Sequence, residues 1–168
     1  MKKVFAMLCL LLSTSAAFAQ DQGDSVVRWK SIVGVITAPN VSNPVGNIDS
    51  GTFPWSARSG RARVNLATGG ASFDVDGLVI NGTTFSGTPG PVTGVTGTFV
   101  CNPGEQTQAA LDTAAVRLSK QGDAHFSGAI QSIPAPCANP LFLIRIATPE
   151  GAAGRWIATG AERVIRLE

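Results

Sequence analysis

The sequence predicts an all-β domain, an antiparallel β-sandwich with a barrel as the second choice. Three observations lead there. Gly60–Asn81 holds two alternating runs around a Gly69-Gly70 pair, the pattern of a β-hairpin. Further alternating or apolar runs, about eight or nine strands in all, recur at hairpin spacing between clusters of Gly, Pro and Asn. No stretch carries a convincing helical period.

Within the central hairpin, Ala62, Val64 and Leu66 oppose Arg61, Arg63 and Asn65, and Ala71, Phe73 and Val75 oppose Ser72, Asp74 and Asp76. Period-two alternation sends one set to a core and the other to water. If the two runs pair, the arginines of one lie near the aspartates of the other, giving a charge-matched outer face.

In chain order, the first nineteen residues read as an export leader. Lys2 and Lys3 precede an apolar run, Val4–Leu12, and Ala17-Phe18-Ala19 supplies a small-x-small cleavage site. Cys9 lies inside this leader, but a lipoprotein signal wants a small residue before its cysteine, and Leu8 is not small. Cleavage after Ala19 is therefore expected, in the manner of a bacterial Sec-type signal. It leaves 168 − 19 = 149 residues, a length that suits a single domain with a sizeable core. The product is expected in the periplasm or outside the cell. No later stretch approaches the roughly 20 apolar residues of a transmembrane helix.

Removing the leader takes away two lysines, leaving 13 − 2 = 11 basic residues against 11 acidic ones. This neutrality lacks the basic field with which nucleic-acid recognition begins, and it does not suit a polybasic membrane-surface binder.

Residues 20–25 are polar and expected to fray. Val26–Ala38 is a β-rich run without strict alternation; Gly34 marks a bulge or bend, or the strand is covered on both faces. Pro39–Asp49 is a loop. Asn40-Val41-Ser42 and Asn81-Gly82-Thr83 match the glycosylation triplet, and under a bacterial leader both are read as chance. Phe53-Pro54-Trp55 is extended, with Trp55 either plugging the core edge or stacking on a ligand. Asn81–Gly97 is a long Gly/Pro/Thr-rich loop, followed by a strand end at Gly97–Cys101.

Leu111–Lys120 and Asp123–Ile130 favour two strands around a Gln121-Gly122 turn. Ser132–Pro140 is a proline-stiffened loop. Leu141–Thr148 is the most apolar stretch of the mature chain and a good central strand, Arg155–Gly160 is another, and Glu162–Glu168 adds a weak edge strand.

Two cysteines remain after the leader, Cys101 and Cys137. In an oxidising compartment an even pair most simply forms one disulfide. Closing a loop of that length is worth roughly 3–4 kcal/mol in the chain-entropy model. A reactive thiol or metal site is the rival reading, without a C-x-x-C neighbour to support it.

The chemical inventory is thin. A Ser-His-Asp triad would need His125, the single histidine. Asp123 and Ser127 flank it on one strand face, but at about 7 Å spacing along a strand, too wide for a hydrogen-bonded relay. His125 is thus read as a surface residue. Asp74 and Asp76 form a D-x-D pair that suits a shared hard cation or acid–base work; the simpler fate is cross-strand pairing with Arg61 and Arg63. No phosphate loop, dinucleotide fingerprint or zinc spacing is present, so no cofactor and no metal are expected. Trp29, Trp55 and Trp156 are either core or a carbohydrate-stacking surface.

With these residues placed, the mature chain resembles a family of secreted, β-rich bacterial proteins of no established activity. The resemblance runs from about Gly51 to Gly160 and rests on Pro54-Trp55, Gly60-x-Ala62-x-Val64, Val75-x-Gly77-Leu78-Val79-Ile80, Val100-Cys101, Gly122-Asp123-Ala124, Pro136-Cys137 and Trp156-Ile157-Ala158-x-x-Gly160. It implies a small extracytoplasmic domain with paired cysteines. Gly60–Leu78 is also similar to the central hairpin of chordin-type (CHRD) domains, G-x-A-x-(V/F)-x-L followed by F-x-V-x-G-L. Those domains continue into a histidine-bearing strand, whereas Leu78 is followed here by Val79-Ile80-Asn81. The sandwich is accordingly expected to be immunoglobulin-like or CHRD-like in build.

The functional expectation is a non-enzymatic binding or structural module of the periplasm or cell exterior. Asp74, Asp76 and Trp55 are its candidate binding residues, and an extracytoplasmic protein or a carbohydrate its partner. The alternative is a hydrolase or metal-binding domain using Asp74 and Asp76.

Overall fold

The computed structural model describes residues 25–38 and 41–167; the expected leader at 1–19, the stretch 20–24 expected to fray and the triplet residue Asn40 lie outside them. Eleven strands and no helix occur among the described residues. They are β1 (Ser25–Gly34), β2 (Trp55–Ser56), β3 (Ser59–Asn65), β4 (Gly70–Asp76), β5 (Val79–Ile80), β6 (Gly94–Cys101), β7 (Ala109–Asp112), β8 (Val116–Arg117), β9 (Ala124–Ala129), β10 (Leu141–Ala147) and β11 (Ala153–Leu167). Nine of them form one antiparallel sheet in the order β7-β6-β10-β11-β1-β3-β4-β9, with β8 also on β6, while β2 and β5 make a separate pair.

The sheet is strongly curled. β10 and β4 are four strand steps apart, about 19 Å on a flat sheet at the usual spacing. Yet the ring centroids of Phe142 on β10 and Phe73 on β4 are 5.8 Å apart. Trp29 on β1 likewise meets Phe99 on β6 at 6.1 Å and Phe142 at 5.6 Å. These rings fill the half-barrel that the curl encloses. Gly97 of β6 faces the same place, and a Cβ there would stand 2.7 Å from Phe142 Cζ and 2.8 Å from Phe73 Cε1. The all-β antiparallel class holds, in a form that lies between a sandwich and a barrel.

The central hairpin forms, with Arg61 opposite Asp74 and Ala62 opposite Phe73, whereas a two-residue turn at Gly69-Gly70 would have set Asn65 opposite Asp74. Its inward residues Ala62, Val64, Phe73 and Val75 are all buried. The turn differs from a tight Gly-Gly pair. Residues 66–69 form a longer loop in which Asn65 Oδ1 accepts from the amides of Ala67 and Thr68, an Asx turn.

Other departures have physical reasons. Ser25, the one described residue of the stretch expected to fray, is buried and opens β1, pairing with Leu167. Gly34 marks a close approach: a Cβ would sit 2.2 Å from Trp55 O, and the Trp55 amide donates to Val35 O. The strand expected over Leu111–Lys120 is broken between β7, which already starts at Ala109, and β8, because the register against β6 slips by one residue between Thr98↔Asp112 and Gly94↔Arg117. Thr113 fills that bulge by exchanging hydrogen bonds with the Gly97 backbone. The C-terminal stretch is not an edge. β11 is one strand of 15 residues, lying between β10 and β1.

The disulfide joins Cys101 to Cys137 across a separation of 36 residues. Asn102 fastens the same loop: its amide donates to Ala138 O, its Oδ1 accepts from the Ala138 amide, and its Nδ2 donates to Pro136 O.

Candidate functional site

Pairing of β3, β4 and β9 lays polar side chains in rows across the outer face of the sheet. Arg61, Asp74 and His125 are direct cross-strand neighbours, as are Arg63, Ser72 and Ser127. Ser59 stands opposite Asp76. These residues point outward because their alternates, Ala62, Phe73 and Phe126, fill the inside.

Asp74 is the centre of the middle row. Its Oδ1 lies 2.6 Å from His125 Nδ1, and its Oδ2 accepts from Arg61 Nε at 3.0 Å. Partial burial alone pushes the Asp74 pKa up, but hydrogen bonds and charge from His125 and Arg61 outweigh it. The net effect holds the carboxyl below its ordinary value. The side chains of Arg61 and His125 are 77% and 66% exposed, against 37% for Asp74, so this row is a surface network.

Asp76 does not join it. Its Oδ2 accepts from Ser59 Oγ at 2.7 Å, so the two aspartates serve separate rows. No group of three or more potential ligand residues gathers among the described residues. Asp123 is likewise remote from the chemistry of His125: its Oδ1 accepts from the Gly77 amide, and its Oδ2 faces Ser119 Oγ. The spacing argument against a one-strand triad therefore stands, and the carboxylate partner of His125 comes from the neighbouring strand instead. Sequence reasoning missed that pair, because β4 and β9 bring together residues 51 positions apart.

Beside this row, the outer face of β1, β3 and β4 forms a cleft of about 320 Å3. Arg28, Lys30, Arg61 and Arg63 line it, with Ser72 and a single carboxylate, Asp74. Arg28, Lys30, Arg61 and Arg63 fall on alternate strand positions, which sends their aliphatic stems across one face. The long loop after Asn81 does not line this cleft; it folds back onto β5, with Gly87 N donating to Ile80 O and Ile80 N to Thr88 O.

Trp55 lies elsewhere. It pairs with Ile80 in the β2–β5 ribbon and is 4% exposed. Trp29 and Trp156 are equally buried, and Trp156 Nε1 donates to Asn43 O. The tryptophans therefore form no flat surface platform. Trp55 does line a small apolar pocket of about 190 Å3, with Phe53, Ile80 and Phe85.

No family model matches this chain, and neither a curated protein nor a solved structure matches it.

Proposed function

We propose that the protein is an exported, non-enzymatic binding module of the bacterial periplasm or cell exterior, released from its leader after Ala19. We further propose that the cleft on β1, β3 and β4 engages an acidic partner, either a segment of an extracytoplasmic protein or an anionic carbohydrate. The observation that carries this reading is the lining: four cationic side chains surround one carboxylate that is already engaged. In a chain that removal of the leader would leave with 11 basic and 11 acidic residues, this cleft gathers charge of one sign, which attracts the opposite one. The disulfide is compatible with an oxidising compartment. Asp74 has both oxygens occupied and Asp76 is held by Ser59, which disfavours the hydrolase alternative.

Calorimetric titration with polyglutamate and with polygalacturonate separates the two partner classes. Binding of one of them is expected to weaken with added salt, and to fall about tenfold in a Lys30→Gln/Arg61→Gln variant. No binding of either polymer at low salt, or equal binding by the variant, would sink the proposal.

A further inference from the structure

A second cavity, sharing no lining residue with the charged cleft, has the makings of a small-molecule site. It opens where β2, β5 and the ends of β10 and β11 meet. Trp55 and Ile80 contribute from the β2–β5 ribbon, Ile146 from β10, and Phe53 and Phe85 from the two flanking loops. The rings of Phe53 and Phe85 are both about half exposed, although each has an apolar pocket beside it. The loop that carries Phe85 is fixed: Thr88 Oγ1 and the Thr88 amide both donate to Phe85 O, and Gly90 packs against the Phe85 ring.

The wall is almost wholly apolar, and one cation, the solvent-exposed Arg155, stands at it. Its Nη1 donates to Ser50 O at 3.0 Å, and Ser50 is itself pinned by its bridge to Trp156. This fixes the guanidinium while using one of its five N–H groups, and no carboxylate pairs with it among the described residues.

We infer that this pocket binds a small aryl carboxylate, its ring against Trp55, Phe53 and Phe85 and its carboxylate on Arg155. Aromatic walls favour a ring in offset or edge-on contact. A fixed guanidinium with open N–H groups favours a planar carboxylate, which it holds through paired hydrogen bonds. The size agrees: an apolar void of about 150 Å3 accepts benzene, and about 190 Å3 accommodates a ring with a one- or two-carbon arm.

Phenylacetate is the probe, titrated against the full oxidised protein while backbone amide NMR shifts are followed. Saturable shifts at Gly51, Trp55, Phe85 and Arg155 are expected, with a dissociation constant on the order of 1 mM or below. Arg155→Gln should weaken phenylacetate about tenfold while leaving 2-phenylethanol, the neutral analogue, unchanged. A merely structural role for Arg155 would weaken both ligands alike. Phe85→Ala, at an exposed site that leaves the fold intact, should weaken both. Absence of saturation, shifts confined to the charged cleft, or equal loss of both ligands in Arg155→Gln would each overturn the inference.

Discussion

Replacing Phe142 with alanine should be among the most damaging single changes in the core, and the reason is the curl of the sheet. Phe142 is 1% exposed and touches rings on two other strands, Trp29 at 5.6 Å and Phe73 at 5.8 Å. Truncating a buried phenylalanine costs about 3–5 kcal/mol through lost transfer and a residual cavity. The upper half of that range applies here, because the curl holds facing strands apart and the void cannot collapse. Against a total of about 5–15 kcal/mol for a domain of this kind, the variant remains folded with a much reduced margin. Urea unfolding followed by far-UV circular dichroism measures it. A milder pair, Phe73→Leu and Phe142→Leu, isolates the contact between the arms, with a coupling of about 0.5–1.5 kcal/mol in a double-mutant cycle. Additive effects of the two leucines, with an alanine cost under about 1.5 kcal/mol, would show that β4 and β10 do not face each other and would refute the half-barrel.

Two further perturbations probe the surface row and the disulfide. Asp74→Asn should cost about 0.2–1 kcal/mol near neutral pH, the range of exposed pairs. The Asp74 pKa is lowered in the folded protein, so its contribution is present above the unfolded value near 3.8 and is lost as pH falls below it. Wild type and variant should therefore converge in acid, and a gap that persists at pH 2 would contradict the linkage. Reducing Cys101–Cys137, or replacing both by serine, should lower stability by about 4 kcal/mol from the 36-residue separation. Mass measurement after alkylation checks the bond directly, and two alkylated thiols in the oxidised protein would disprove it.

What the sequence made legible is what local alternation records. Period two told which hairpin residues face outward, Arg61 and Asp74 among them, but the register that sets these two opposite each other comes from the longer turn capped by Asn65. Leu141–Thr148 was readable as central because it is apolar on both faces, and β10 indeed lies between two strands. The longest strand was not readable whole. β11 leaves β10 and passes to β1 along its length, so its covered face changes, and Glu162 takes a left-handed conformation midway at φ 54°. The Asp74–His125 pair and the aryl pocket were hidden for one shared reason. Each is assembled from segments far apart in the chain, such as Phe53, Phe85 and Arg155, and single-sequence alternation carries no information about which strands become neighbours.

The Asp74–His125 pair is better explained by the needs of the edge than by catalysis. β9 pairs with β4 on one side only, and an edge strand of six residues has few ladder hydrogen bonds to hold it. The two strands are clasped on both faces. Inside, Phe73 stacks on Phe126 with centroids 5.9 Å apart and planes within 19°; outside, Asp74 binds His125 in the adjacent cross-strand pair. An aromatic pair and a hydrogen-bonded pair on successive residues, one to each face, stop the edge strand from sliding, since a one-residue slip would exchange their faces. A carboxylate committed to this fastening, with Arg61 on its other oxygen, is a poor general base and a poor metal ligand. The cleft beside it gathers four cationic side chains against this one engaged carboxylate, and that imbalance of charge, rather than the aspartates that first draw notice in the sequence, is what suits the face to an anion.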